Sequence, residues 1–114
     1  MSGYLTTHVL DTARGCPARG MRITLTRLTG GVRVEMVTVE TNADGRTDQQ
    51  ILPGAAFATG EYELEFAVGD YLRATGQPTG FLEVVPLRFT MVEDAHYHVP
   101  LLVSPFGYST YRGS

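Results

Sequence analysis

The sequence predicts an all-β fold: a two-sheet antiparallel sandwich of about eight strands with one short helix. Apolar and polar residues alternate in several short runs, and turn signals recur about every ten residues. Only one segment has helical character, so the strands cannot be joined into parallel βαβ units, whose crossovers need about ten or more residues each. At 114 residues the chain is expected to form a single domain over 1–114.

The first half of the chain contains three predicted strands. Residues 5–10 are rich in β-formers and precede a predicted loop over 11–17, and the runs 21–28 and 32–39 alternate between two faces. Two glycines separate the second and third runs at 29–31. A strong turn follows at 42–45, where Asn, Asp and Gly cluster directly before Arg46.

The second half begins with the clearest strand, over 60–68. Its apolar side chains point one way, and its three glutamates, Glu61, Glu63 and Glu65, are expected to face water. Residues 70–76 begin with an acidic residue and end in glycine, which predicts one or two helical turns. Pro86 inside the run 82–92 predicts an edge strand or a bulge. The runs 96–103 and 107–112 predict a closing hairpin.

The composition excludes several functions. A net charge of −3 gives no basis for binding nucleic acid or an anionic membrane, and no apolar run is long enough to span a membrane. All nine basic residues are arginine, which excludes Schiff-base chemistry and a phosphate-loop lysine. The single cysteine, Cys16, allows no intrachain disulfide and is interpreted as a loop thiol. With no signal peptide visible, the chain is expected to be cytoplasmic.

A pair of histidines near the end of the chain is the strongest candidate for chemistry. His96 and His98 are two residues apart in a predicted strand and should project from the same face, with Tyr97 opposite. Three interpretations stay open from the residues alone. The pair could be an exposed polar patch, a zinc site completed by His8 or a carboxylate, or a general acid–base pair that titrates near neutral pH.

The other candidates have ordinary interpretations when taken alone. His8 could be a hydrogen-bonded strand histidine and Arg46 a solvated loop cation, while Tyr111, Arg112 and Ser114 could simply end a strand. Because a small sandwich has exposed edge strands that can pair with another chain, an oligomer is expected. The residues by themselves thus predict an oligomeric β-sandwich with a candidate His/Arg site.

Three segments together resemble the 5-hydroxyisourate hydrolases, the enzyme branch of the transthyretin-like proteins. The first is THVLDT at 7–12 with Gly15, Pro17 and the Gly-Met pair at 20–21; the second is DGR at 44–46. The third runs from HYHVPLL at 96–102 to YSTYRGS at 108–114, and it is the most specific of the three. Phe106 is a mild departure from the resemblance, because members of that family often carry a larger or hydroxylated aromatic residue there.

The resemblance implies a transthyretin-like sandwich that assembles as a homotetramer, a dimer of dimers, with active sites in the channel between dimers. It implies hydrolysis of the cyclic amide of 5-hydroxyisourate to 2-oxo-4-hydroxy-4-carboxy-5-ureidoimidazoline, without a metal or organic cofactor. The implied catalytic residues are His8, Arg46, His98 and Ser114, and the implied substrate contacts are His8, Arg46, Tyr111 and Arg112, with His96 auxiliary. The alternative is a non-enzymatic carrier of small ligands, of the transthyretin type.

Overall fold

The computed structural model describes residues 3–113, which form eight β-strands, a short 3₁₀ turn and one α-helix. In chain order the elements are β1 (Tyr4–Asp11), β2 (Cys16–Pro17), β3 (Arg22–Thr29), β4 (Val32–Glu40), the 3₁₀ turn (Gly54–Ala56), β5 (Gly60–Phe66), α1 (Val68–Ala74), β6 (Val85–Met91), β7 (His96–Ser104) and β8 (Gly107–Thr110). Within these residues no helix has the length and apolar character needed to cross a membrane.

The strands form two four-stranded sheets, one in the order β2-β1-β7-β8 and the other in the order β4-β3-β5-β6. The predicted two-sheet sandwich with one short helix is confirmed. One pair departs from the antiparallel arrangement, because β1 and β7 run parallel side by side. In the sequence, residues 12–95 separate β1 from β7. This segment supplies the long connection that a parallel pair requires.

Alternation along the strands fills the space between the sheets. The fully buried side chains include Leu5, Val9, Ile23, Leu25, Leu64, Phe66 and Leu101. Burying one side chain of this kind contributes about 1.5–3 kcal/mol. A slip of one residue would turn a whole strand's apolar side chains outward, so the core fixes the register of the strands that carry it.

The structure changes two of the predicted boundaries and confirms one predicted edge strand. The predicted loop over 11–17 ends in a two-residue strand, β2, that pairs with the end of β1. Helix α1 begins at Val68, which the prediction had placed in a strand, because Val68, Tyr71 and Leu72 form one buried stripe. Strand β6, which contains the exposed Pro86, lies at the edge of its sheet as predicted.

Glu63 does not face water as predicted. Its side chain lies on central strand β5 and the residue is only 7% exposed. Arg33 from β4 contacts one carboxylate oxygen at 2.6 Å, and Arg88 from β6 approaches the other at 3.5 Å. Flanking arginines neutralise this carboxylate, which explains how the middle of a glutamate run can be buried.

A second buried carboxylate, that of Asp11, links the end of β1 to helix α1. Asp11, at the end of β1, is 2% exposed and accepts hydrogen bonds from the Tyr71 hydroxyl at 2.7 Å and the Gln77 amide at 2.9 Å. The backbone N–H of Arg14 donates a third at 2.9 Å. Burial alone would raise the pKa of Asp11, but these three hydrogen bonds together hold it below its ordinary value. Burial and the bond to Asp11 raise the pKa of Tyr71 to about 12.

Replacing Tyr71 by phenylalanine should lower the free energy of unfolding by about 1.5–3 kcal/mol at neutral pH, because a hydrogen bond to a charged group is lost. The folded pKa of Asp11 is lowered, so its stabilisation is present above the unfolded value of about 3.9 and disappears as the pH falls through the folded value. The deficit of Tyr71→Phe, measured by urea unfolding, should therefore shrink in acid.

Tyr62→Phe is the matched control. The Tyr62 hydroxyl donates to the Ala58 carbonyl at 2.8 Å and accepts a hydrogen bond from the Arg27 guanidinium at 3.2 Å, so it bonds to no carboxylate. Its loss should also lower the free energy of unfolding by about 1.5–3 kcal/mol, but with no dependence on the protonation of a carboxylate. An equal acid dependence in both variants would contradict the assigned charge on Asp11.

Candidate functional site

His96 and His98 project from the outer face of β7. Their ring centroids are 6.3 Å apart, and the intervening Tyr97 is buried on the other face of the strand. This is the arrangement predicted from the two-residue spacing. The pair is therefore fixed to a regular strand whose inner face is packed in the core.

The parallel pairing of β1 with β7 brings His8 to the same outer face. Thr6 lies directly opposite His98 in the register, and His8 follows two residues later on the same side of β1. The ring centroids of His8 and His98 are 6.4 Å apart. Histidines from opposite ends of the chain thus become neighbours.

Arg46 reaches this face from the turn at 42–45. The Asn42 side-chain oxygen accepts hydrogen bonds from the backbone N–H groups of Asp44 at 2.9 Å and Arg46 at 3.2 Å. Gly45 has a φ of 75°, and a Cβ there would collide with the Val9 carbonyl oxygen, so only glycine fits. Arg46 then forms an isolated β-bridge with His8.

His8 also anchors that turn through its side chain. Its Nε2 lies 2.9 Å from the backbone carbonyl oxygen of Asp44. Because a carbonyl oxygen only accepts, Nε2 must carry the proton and donate it. A neutral His8 therefore has its lone pair on Nδ1, and its tautomer is set by the backbone.

Burial and neighbouring charge lower the pKa of both histidines and favour their neutral forms. Partial burial is the largest cause that lowers the pKa of His8, and the charge on Arg46 adds to it. Burial also lowers the pKa of His98, with further contributions from Arg46, His8 and His96. Both values lie below the ordinary 6.5, so each ring is available as a neutral donor and acceptor.

Thr6 was not among the predicted site residues, yet it contacts both histidines of β7. Its hydroxyl oxygen lies 2.8 Å from Nε2 of His96 and 2.8 Å from Nδ1 of His98. Tyr4, two residues before it, stacks on the His96 ring with centroids 4.1 Å apart. The spacing of Tyr4, Thr6 and His8 places them on one face of β1, but only the pairing with β7 shows what that face meets.

The predicted residues near the end of the chain divide between two faces. The backbone of Gly113 pairs with that of His98, and Gly113 N–H donates to the His98 carbonyl at 2.6 Å. Arg112 instead lies over the Tyr97 ring, 4.3 Å from its centroid. Ser114, predicted to be catalytic, lies outside the described residues.

Tyr111 and Arg112 line a groove of about 570 Å³ on the side of β7 that carries Tyr97. Phe89, Val92 and Val99 form part of its apolar lining. Within one copy of the chain these two residues are thus separated from the His8–Arg46–His98 face. Their predicted contact with substrate stays a prediction.

A smaller hollow of about 200 Å³ lies on the histidine side, lined by Thr6, Thr7 and the segment 46–50. Arg46 is exposed at its rim. Among residues 3–113, no group of three or more His, Cys, Asp or Glu side chains is arranged to hold a metal ion. The face therefore offers neutral imidazoles, a hydroxyl and a guanidinium to a ligand.

Comparison with known proteins gives concordant matches. The HIUase/Transthyretin family model matches residues 5–113. A 5-hydroxyisourate hydrolase of Mesorhizobium japonicum is 62% identical over 98% of this chain and 93% of its own length. The crystal structure of an (S)-allantoin synthase superposes with a TM-score of 0.91 and 47% identity over 98% of this chain, which spans 44% of that longer protein. The structure of Klebsiella pneumoniae 5-hydroxyisourate hydrolase superposes with a TM-score of 0.84 and 34% identity, covering 100% of both chains.

Replacing Arg46 by glutamine should raise the pKa of both His8 and His98, because a positive charge that disfavours the imidazolium form is removed. The change is measured by following the histidine ring resonances during an NMR pH titration. Arg22→Gln serves as the control, since Arg22 lies on the other sheet and pairs with Asp70 of helix α1. Unchanged histidine pKa values in Arg46→Gln would contradict the electrostatic coupling.

Proposed function

Because this chain belongs to the HIUase/transthyretin family, we propose that it is a hydrolase that converts 5-hydroxyisourate to 2-oxo-4-hydroxy-4-carboxy-5-ureidoimidazoline. The full-length similarity to proteins named 5-hydroxyisourate hydrolase supports the activity. The observation that carries the chemical assignment is the convergence of His8, Arg46 and His98 on one face of a sheet.

Arg46 stabilises the negative charge that develops during the reaction. Water attack on the cyclic amide turns its carbonyl oxygen into an oxyanion, and a fixed guanidinium can donate hydrogen bonds to it. The turn that carries Arg46 is held by Asn42, by Gly45 and by the side chain of His8. The cation is therefore positioned before the substrate arrives, which is what makes such stabilisation effective.

His8 acts as the general base. Its Nε2–H is committed to the Asp44 carbonyl, so the unprotonated Nδ1 accepts a proton from the attacking water. The same carbonyl then supports the imidazolium that forms. His8 returns this proton to the ring nitrogen as the C–N bond breaks. The second hydrogen of the water remains on the new carboxyl oxygen and is released to solvent when the carboxylate forms.

His98 assists the reaction by presenting one ring nitrogen to the substrate. Its Nδ1 is engaged by Thr6, which leaves Nε2 as the ring nitrogen available to the substrate. Its lowered pKa favours the neutral ring, which does not repel the guanidinium of Arg46. Side chains of the protein handle every proton and charge in this scheme, and we include no metal or organic cofactor.

The working enzyme is a homotetramer, a dimer of dimers, in which a second copy completes each site. The hollow beside Arg46, at about 200 Å³, is smaller than the roughly 300–1,000 Å³ usual for ligand sites and is open to solvent. Strands β6 and β8 are sheet edges available for pairing. Tyr111 and Arg112, which are exposed in one copy, bind substrate in this assembly, and Ser114 is assigned a catalytic role.

The free thiol of Cys16 is consistent with a reducing compartment, and we place the enzyme in the cytoplasm.

The activity is tested by adding the protein to urate and urate oxidase and following the decay of the transient 5-hydroxyisourate absorbance. The protein should accelerate the decay, and Arg46→Gln should lower kcat by about 10²–10³-fold. Arg22→Gln, an exposed arginine on the other sheet, should keep the activity of the unchanged protein. A protein that binds the substrate without accelerating its decay would instead be a carrier.

Deleting residues 111–114 should abolish turnover while leaving most of the thermal stability, because the buried core is built from residues before this segment. Turnover and the circular dichroism melt are measured on the same sample. Replacing Phe106 by alanine, at the exposed β7–β8 turn, controls for changes to the neighbouring hairpin. Full activity in the truncated protein would show that the segment only ends a strand.

A further inference from the structure

The hydroxyl of Thr6 occupies an unusual position between two imidazoles. Its oxygen is 2.8 Å from Nε2 of His96 and 2.8 Å from Nδ1 of His98. A threonine hydroxyl has a single hydrogen to donate and two lone pairs to accept with. It can therefore donate to only one of these nitrogens, and the other must carry a proton of its own.

Thr6 thereby couples the tautomers of the two histidines. If the hydroxyl donates to Nδ1 of His98, then His96 must donate from Nε2, and the proton of a neutral His98 resides on Nε2. If His98 donates from Nδ1, its Nε2 is bare. The protonation of the one His98 nitrogen left for the substrate is thus decided through Thr6.

We propose that Thr6 is a positioning residue that fixes His98 in the Nε2–H tautomer, through a chain running from His96 Nε2–H to the Thr6 hydroxyl to His98 Nδ1. This inference rests on the proposed hydrolase function. His8 already presents a bare nitrogen, because the Asp44 carbonyl holds its Nε2–H. A bare Nε2 on His98 would duplicate that acceptor, whereas Nε2–H adds a donor for the developing oxyanion beside Arg46.

The surroundings hold the chain of hydrogen bonds in place. Thr6 and His98 are directly paired in adjacent strands, so the distance between them is set by the sheet. Tyr4 stacks on His96 with planes inclined by 12°, which restrains that ring. Hydrogen bonds that run in one direction polarise one another, so each strengthens the next.

The inference is tested first on the unchanged protein. Long-range ¹H–¹⁵N NMR correlations at neutral pH distinguish the two neutral tautomers of a histidine. His98 should be protonated on Nε2 and unprotonated on Nδ1. Protonation on Nδ1 would overturn the proposal, and this measurement requires neither turnover nor a variant.

The second test compares Thr6→Val with Thr6→Ser. Valine has a similar shape without the hydroxyl and suits a strand, so the fold should be retained. We expect Thr6→Val to lower kcat by about 10- to 100-fold with little change in KM. The ¹⁵N resonance of His98 Nδ1 should move toward that of a nitrogen that accepts no hydrogen bond. Thr6→Ser, which keeps the hydroxyl, should restore both values.

Thr24→Val is the matched control, because Thr24 is a half-buried strand threonine whose hydroxyl bonds to Thr38 at 3.0 Å on the other sheet. It should leave kcat and the His98 resonances unchanged. Unchanged kcat in Thr6→Val, or an equal loss in Thr6→Ser, would overturn the role of the hydroxyl. Absence of turnover in the unchanged protein would count against the hydrolase function instead, and the tautomer measurement would still decide the coupling.

Discussion

The parallel pairing of β1 with β7 is the constraint on which the candidate site depends. It is the one parallel pair among the described strands, and it joins the beginning of the chain to its end. Its register sets Thr6 opposite His98 and brings His8 within 6.4 Å of that ring. The inner faces of the same strands hold Leu5, Val9 and Leu101 in the core. Core packing and site geometry therefore follow from one register.

The positive charge of Arg46, which acts on two imidazoles, is the main electrostatic feature of this face. Arg46 and partial burial both disfavour the imidazolium form of His8 and His98. Neutral rings are chemically useful only if their tautomers are defined, because each then has one donor and one acceptor nitrogen. The Asp44 carbonyl supplies that definition for His8, and Thr6 supplies it for His98. A backbone carbonyl and a hydroxyl define these tautomers without adding charge. The positive charge of Arg46 therefore remains unneutralised by them.

The local pattern of the sequence was sufficient to predict most of the strands and the shared face of the two histidines on β7. Alternation and turn residues predict the strands, and the two-residue spacing places His96 and His98 on one face. The pairing of β1 with β7 could not be predicted in this way, because local periodicity carries no information about which distant strand lies alongside. Thr6 was missed for the same reason, since an isolated strand threonine has no distinguishing neighbours. Glu63 was misassigned because its burial depends on arginines from two other strands.

The position of Arg46 shows why the roles of His8 and Arg46 cannot be separated cleanly. The histidines lie on regular strands, whereas Arg46 follows a turn and is exposed. That turn is attached to the sheet by the Val9 N–H to Gly45 carbonyl bond at 2.8 Å and by the His8 side chain at 2.9 Å. One imidazole thus both presents a basic nitrogen and holds the loop that carries the guanidinium. Loss of His8 would remove the base and loosen the cation together, so the separate effects of the two residues on catalysis are not expected to add.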